Sequence, residues 1–179
     1  EFALAADRLR GDAPIKHLQK HLALKAIALR AAGDEAYRQI YDYDRFTAQI
    51  AIDPPPGYST IRAFNDALSS AITGLHKTTN RPVEQTLYGG TQSVGRFWNE
   101  PDPVIQAYVA AMRAAARKYV DRLPDDPAHP FLNRKRRELT CAGAWSVKLA
   151  SGGGHVDHIH PAGWVSACYY VAAPPEIFE

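Results

Sequence analysis

The hydrophobic period of this chain changes once for good: apolar steps of three and four dominate as far as Leu123, whereas from Arg137 onward short aromatic and β-branched blocks take over. Helices first and sheet last is the signature of an α+β fold. Residues 14–32 put Ile15, Leu18, Leu22, Ala26 and Leu29 on one helical face, and Gly33 closes the run. Residues 36–43 predict a second, shorter helix, so the first 43 residues form helical hairpin material with one apolar face left for a neighbour. Ser59 or Thr60 caps a helix whose inner face is Ile61, Phe64, Leu68, Ile72 and Leu75. Asp102 followed by Pro103 starts another, with Ile105, Tyr108, Val109, Met112, Ala116, Tyr119 and Leu123 as its apolar positions. Between these helices, residues 85–92 with Gly89-Gly90 are expected as a loop or irregular strand.

Strand signals are shorter. Phe46, Ala48, Ile50 and Ile52 alternate with Thr47, Gln49 and Ala51 until Pro54-Pro55-Pro56-Gly57 ends the pattern. Three more strands are expected: in residues 139–149, across the histidine cluster, and in 164–171. Together these are too few to close a barrel of about eight strands.

A chain of 179 residues, 46% hydrophobic, suits a globular domain with one active site. Its formal net charge of +2 is too balanced for wholesale attraction to nucleic acid or an anionic membrane. No apolar run approaches the roughly 20 residues that cross a bilayer, and no secretory leader pattern is present, so the expected location is cytoplasmic. Cys141 and Cys168 form no CxxC pair and are expected as buried thiols among strand residues. Arg134-Lys135-Arg136-Arg137 lacks interleaved aromatics, which favours a solvated loop or edge-strand guard over a nucleic-acid grip. The chain opens at Glu1 without methionine and stops at Glu179 just past the apolar run 165–173, so both ends are expected to be cuts.

Chemistry concentrates in one strip. Three of the seven histidines lie in His155-Val156-Asp157-His158-Ile159-His160, directly after Gly152-Gly153-Gly154 and before Pro161. Imidazole and carboxylate together suit a borderline divalent metal, and two His with one carboxylate is the facial set of non-haem Fe(II) oxygenases. On an extended strand His155 and Asp157 would point one way and His158 and His160 the other, so the two pairs cannot share an ion unless the strand is bulged. The first pair spells HxD, the second HxH followed by Pro.

The order Trp145-Ser146-Val147-Lys148-Leu149, Ser151-Gly152-Gly153, His155 to Pro161, Gly163-Trp164-Val165-Ser166 and Tyr169-Tyr170-Val171 resembles the 2-oxoglutarate and Fe(II)-dependent oxygenases found at the C-terminal end of bacterial tetratricopeptide-repeat proteins. Upstream, Ala28-Leu29-Arg30, Gly33-Asp34, Tyr41-Asp42-Tyr43-Asp44-Arg45-Phe46, Pro56-Gly57-Tyr58, Phe64-Asn65, Gly89-Gly90-Thr91-Gln92 and Leu123-Pro124-Asp125-Asp126-Pro127 follow the same family in order. The resemblance implies a double-stranded β-helix (jelly roll) core, incomplete at the C-terminus, with flanking amphipathic helices. Residues 1–43 would be a helical, tetratricopeptide-like tail and 44–179 the N-terminal part of the oxygenase-like domain. It also implies Fe(II) and 2-oxoglutarate as cofactors, and a hydroxylation coupled to release of succinate and carbon dioxide. A protein or peptide is the substrate class that the repeat-like tail suggests.

Because the HxHP step recurs in that family, the resemblance makes His158 and His160 the first choice of ligands, with His155 and Asp157 the alternative pair. Ser166 and Tyr169, on opposite faces by strand parity, are candidates to touch the co-substrate; plain packing is the competing reading. The superfamily also takes a distal His and a carboxylate-binding basic residue from late strands. This chain has no His after His160 and no Arg or Lys after Lys148, so both are expected beyond Glu179. His76 and His129, on a helix end and a Pro-flanked loop, are poor substitutes. Two rival readings use the same residues: a catalytically inactive repeat and β-helix interaction module, and a cupin-like site for another divalent metal.

Overall fold

In the computed structural model, residues 1–9, 18–77, 86–94 and 96–177 are described. Their regular elements are α1 (Phe2–Arg8), α2 (Leu18–Ala31), α3 (Tyr43–Phe46), α4 (Ile61–Thr73), β1 (Leu87–Gln92), α5 (Pro103–Arg122) and β2 (Val147–His155), joined by short 3₁₀ turns. The fold is α+β, with β1 and β2 antiparallel in a two-stranded sheet. Two compact units share these elements: Glu1–Ile50, Lys118–Ala142 and Ile159–Ser166 in one, Ala51–Arg117, Gly143–His158 and Ala167–Glu179 in the other.

The helical unit begins with α1, which the apolar period does not announce, packed on α2 through small side chains. Ala6, Ala28 and Leu29 are buried there, flanked by Ala5, Leu9 and Tyr37. Alanines leave the two backbones room to approach closely. Helix α2 matches the predicted run from Leu18; Ile15 lies outside the described residues. Gly33 follows with φ of 73°, a left-handed turn that glycine adopts without Cβ strain. Leu24 and Ile27 remain exposed. The predicted helix over 36–43 is instead a 3₁₀ turn, Glu35–Gln39, followed by α3.

An aromatic cluster organises the rest of this unit. The Phe46 ring lies 5.1 Å from His129 and 4.8 Å from Phe131, and Phe131 lies 5.1 Å from Trp164. Trp164 Nε1 donates to Phe131 O at 2.9 Å, and Tyr119 Oη donates to Phe46 O at 2.5 Å. His129 Nδ1 accepts from the N–H groups of Phe131 and Leu132, so its proton sits on Nε2 and reaches Gln39 O at 2.7 Å. In the basic run Arg134 Nη1 donates to Gln19 Oε1 and Lys135 Nζ to Leu123 O, while Arg136 and Arg137 are exposed, as a solvated loop requires.

In the sheet unit, Thr60 Oγ1 accepts from Ala63 N–H at 3.1 Å and opens α4 as the sequence predicts. Asp102 Oδ1 accepts from the N–H groups of Val104 and Ile105 at 2.8 and 3.3 Å and opens α5. Phe64, Leu68, Phe97 and Ile105 form a buried core to which Tyr58, Ile72, Tyr108, Tyr169 and Val171 add partly buried surface. Asp102→Ala removes both cap bonds while leaving Pro103 in place. It should cost about 1 kcal/mol of stability, read as a lower urea midpoint with an unchanged slope.

Several expectations are corrected. Residues 46–52 are not a strand: Phe46 ends α3, and Thr47 is extended (φ −102°, ψ 139°) without entering a ladder. Nor do 139–145 or 164–171 pair as strands; the sheet among the described residues has two strands. Alternation tells which side a residue faces, but a strand also needs a partner for its N–H and C=O groups. Trp164 and Tyr169 enter packed clusters instead. The two cysteines are exposed, because the loops that hold them are not the strands that would have buried them.

Candidate metal centre

The histidine strip leaves the end of β2, and glycines decide how β2 arrives there. Leu87 pairs with His155 and Tyr88 with Gly154; after an irregularity, Gly90, Thr91 and Gln92 pair with Leu149, Lys148 and Val147. Gly89 alone therefore faces residues 150–153, a bulge in β2. A Cβ on Gly153 would run into the Gly89 carbonyl oxygen, and one on Gly90 would lie 2.6 Å from Lys148 O. The glycine run predicted as an approach to a strand is thus part of the strand, where only glycine permits the backbones to come this close.

Pairing continues one step further, with Val156 N–H donating to Thr86 O at 3.0 Å, and then the chain bends at Asp157. Face parity therefore stops at His155, where β2 ends. The bend returns His158 towards His155, and the two ring centroids lie 5.6 Å apart with 37° between their planes. His155 Nδ1 is 3.0 Å from Thr86 Oγ1. His158 Nδ1 is 2.8 Å from Val156 O, an acceptor only, so Nδ1 carries a proton and donates it there. Both rings are exposed, as is Asp157.

The remaining candidates are placed as follows. His160 belongs to the helical unit, where its carbonyl accepts from Gly163 N–H at 3.2 Å in the turn after Pro161. Ser166 is in the same unit and exposed. Tyr169 is in the sheet unit, half-buried, its hydroxyl donating to Asn65 Oδ1 at 2.6 Å and its ring 5.4 Å from Tyr108. Burial raises its pKa, the Asn65 bond opposing. Neither residue lies on a strand, so the opposite-face expectation does not apply to them. His76 and His129 have both ring nitrogens in hydrogen bonds.

One comparison bears directly on this strip. Residues 143–179 match the family model described as "Putative 2OG-Fe(II) oxygenase". The match contains β2, the bulge and the whole histidine strip, and covers about a fifth of the chain. No curated protein matches the chain, and no solved structure does.

The 2OG-Fe(II) oxygenase family implies an iron ion, and the donors can be tested against it. A metal about 2.1 Å from an imidazole nitrogen lies about 3.2 Å from the ring centroid, so two rings sharing one ion at angles between square and tetrahedral have centroids roughly 4.5 to 5.2 Å apart. The observed 5.6 Å lies outside that range. Metal-bound imidazoles also place their second nitrogen on a carbonyl or similar partner, the arrangement of both Nδ1 atoms here. The two imidazoles are neighbours with suitable second partners, without the spacing of rings that share an ion. Among the described residues no three His, Cys, Asp or Glu side chains gather into a group that could hold an ion.

Proposed function

We propose that this protein is an Fe(II)- and 2-oxoglutarate-dependent dioxygenase, a hydroxylase acting on a protein or peptide, with the 143–179 segment belonging to a jelly-roll core. The observation that carries the reading is the ring pair His155 and His158, inside the segment that matches the oxygenase family. Each of the two ligand pairs read from sequence, His158 with His160 and His155 with Asp157, contributes one ring to it. Asp157, on the bend between the rings, is the carboxylate of the set.

When bound, Fe(II) and 2-oxoglutarate supply the activation of dioxygen and the oxidation of a substrate C–H bond. The chain's own residues orient the donors. The Val156 carbonyl keeps the His158 proton on Nδ1, and Thr86 steadies the His155 ring from the neighbouring strand. Membrane insertion has no support from the helices: among the described residues none is long and apolar enough to cross a bilayer.

The test uses the protein at its natural length, loaded with ferrous ion under nitrogen and then given 2-oxoglutarate and oxygen. Succinate that requires both additions is the expected product, measured by mass spectrometry. Metal binding without 2-oxoglutarate turnover would favour the cupin-like alternative, and absence of both would favour the interaction module.

A further inference from the structure

Away from the histidine strip, a different histidine is held between two hydroxyls. His76, just past the C-terminal end of α4, has Nδ1 2.9 Å from Thr91 Oγ1 and Nε2 3.0 Å from Ser146 Oγ. Thr91 pairs with Lys148 across β1 and β2. One step along, Ser93 N–H donates to Ser146 O at 2.9 Å and Ser146 N–H donates to Ser93 Oγ at 2.9 Å. Cross-strand partners share a sheet face, as do residues two apart. Thr91, Ser93, Ser146 and Lys148 therefore occupy one face, with His76 laid across it. Ser93 is 5% exposed, so the backbone that presents Ser146 is held by a buried hydroxyl.

The parts match the roles an acyl-transfer site needs: a hydroxyl nucleophile bonded to an imidazole, a third group orienting that imidazole, and a cation for the developing oxyanion. Burial first, and then the charge of Lys148, hold His76 below the ordinary histidine pKa, so its ring is uncharged at neutral pH. Either hydroxyl can donate or accept; in the tautomer that donates Nδ1–H to Thr91 Oγ1, Nε2 is the acceptor for the Ser146 proton.

We propose that Ser146 is a nucleophile for acyl transfer from carboxylic esters, with His76 as its general base, at a site independent of the iron-binding reading. Ser146 Oγ bonds to the ester carbonyl carbon while its proton passes to His76 Nε2, and the carbonyl oxygen takes up the negative charge with Lys148 as counter-ion. The carbon–oxygen bond to the alcohol then breaks, the alcohol leaves with the Nε2 proton, and the acyl group remains on Ser146. Water repeats the sequence, releasing the carboxylic acid and restoring the hydroxyl. Thr91 is the positioning residue for His76.

The probe is a fluorophosphonate, applied to the intact chain in the presence of a chelator so that metal plays no part, with the adduct located by peptide mass spectrometry. Labelling is expected at Ser146. His76→Gln, whose amide can still bond both hydroxyls but cannot take the proton, should label about 100-fold more slowly. Thr91→Val, which leaves the base but not its orienting oxygen, should also slow labelling, and it decides the matter if His76→Gln fails to fold by circular dichroism. An unlabelled Ser146 in the folded chain, or an unchanged rate in the folded variant, overturns the proposal and leaves the oxygenase reading untouched.

Discussion

Replacing His155 and His158 together with alanine is expected to weaken Co(II) binding, measured by anaerobic visible titration, by on the order of 100-fold or more. Fe(II)-dependent succinate formation should fall with it. Both side chains are exposed, so the double variant should melt at the temperature of the parent chain, separating lost ligation from lost fold. Thr86→Val, which removes only the partner of His155 Nδ1, should weaken binding less, by about 10-fold. A double variant that still binds Co(II) as the parent does would remove the ring pair from any metal-binding role.

The second large effect is on stability. Gly153→Val puts a branched side chain where the Gly89 carbonyl already sits, with Gly89 C at 2.9 Å and Ala150 O at 3.0 Å as its other neighbours. All three are backbone atoms, so relief requires the bulge to open. The cost should reach about 3 kcal/mol, the upper end of overpacking penalties, read from urea denaturation. Gly152→Ala supplies the contrast: its φ is 74° but no atom lies within 4 Å of the added Cβ. That change should cost only the left-handed strain of about 1 kcal/mol. Equal losses at the two positions would refute the close backbone approach as the reason for the glycine run.

The helices were legible because their signals are local. Thr60 and Asp102 cap helices whose apolar period starts within a few residues, and Phe64, Leu68 and Ile105 are buried as that period requires. The sheet was legible only where glycine forced it, at Gly89-Gly90. Phe46 to Ile52 and Trp164 to Val171 carry strand-like patterns, yet strand status depends on a partner elsewhere in the chain, which no local pattern encodes. The same gap hid the union of His155 with His158, since the bend at Asp157 breaks the parity that separated them. It also hid His76 and Ser146, hydrogen-bonded although 70 positions apart.

The cysteines, misjudged as core residues, offer something practical instead. The sequence has two, and one falls in each compact unit, Cys141 with the helical elements and Cys168 with the sheet. Maleimide reagents would reach these exposed positions without any mutation. The rate at which each thiol reacts, with and without ferrous ion or 2-oxoglutarate, would report on the surroundings of one unit at a time.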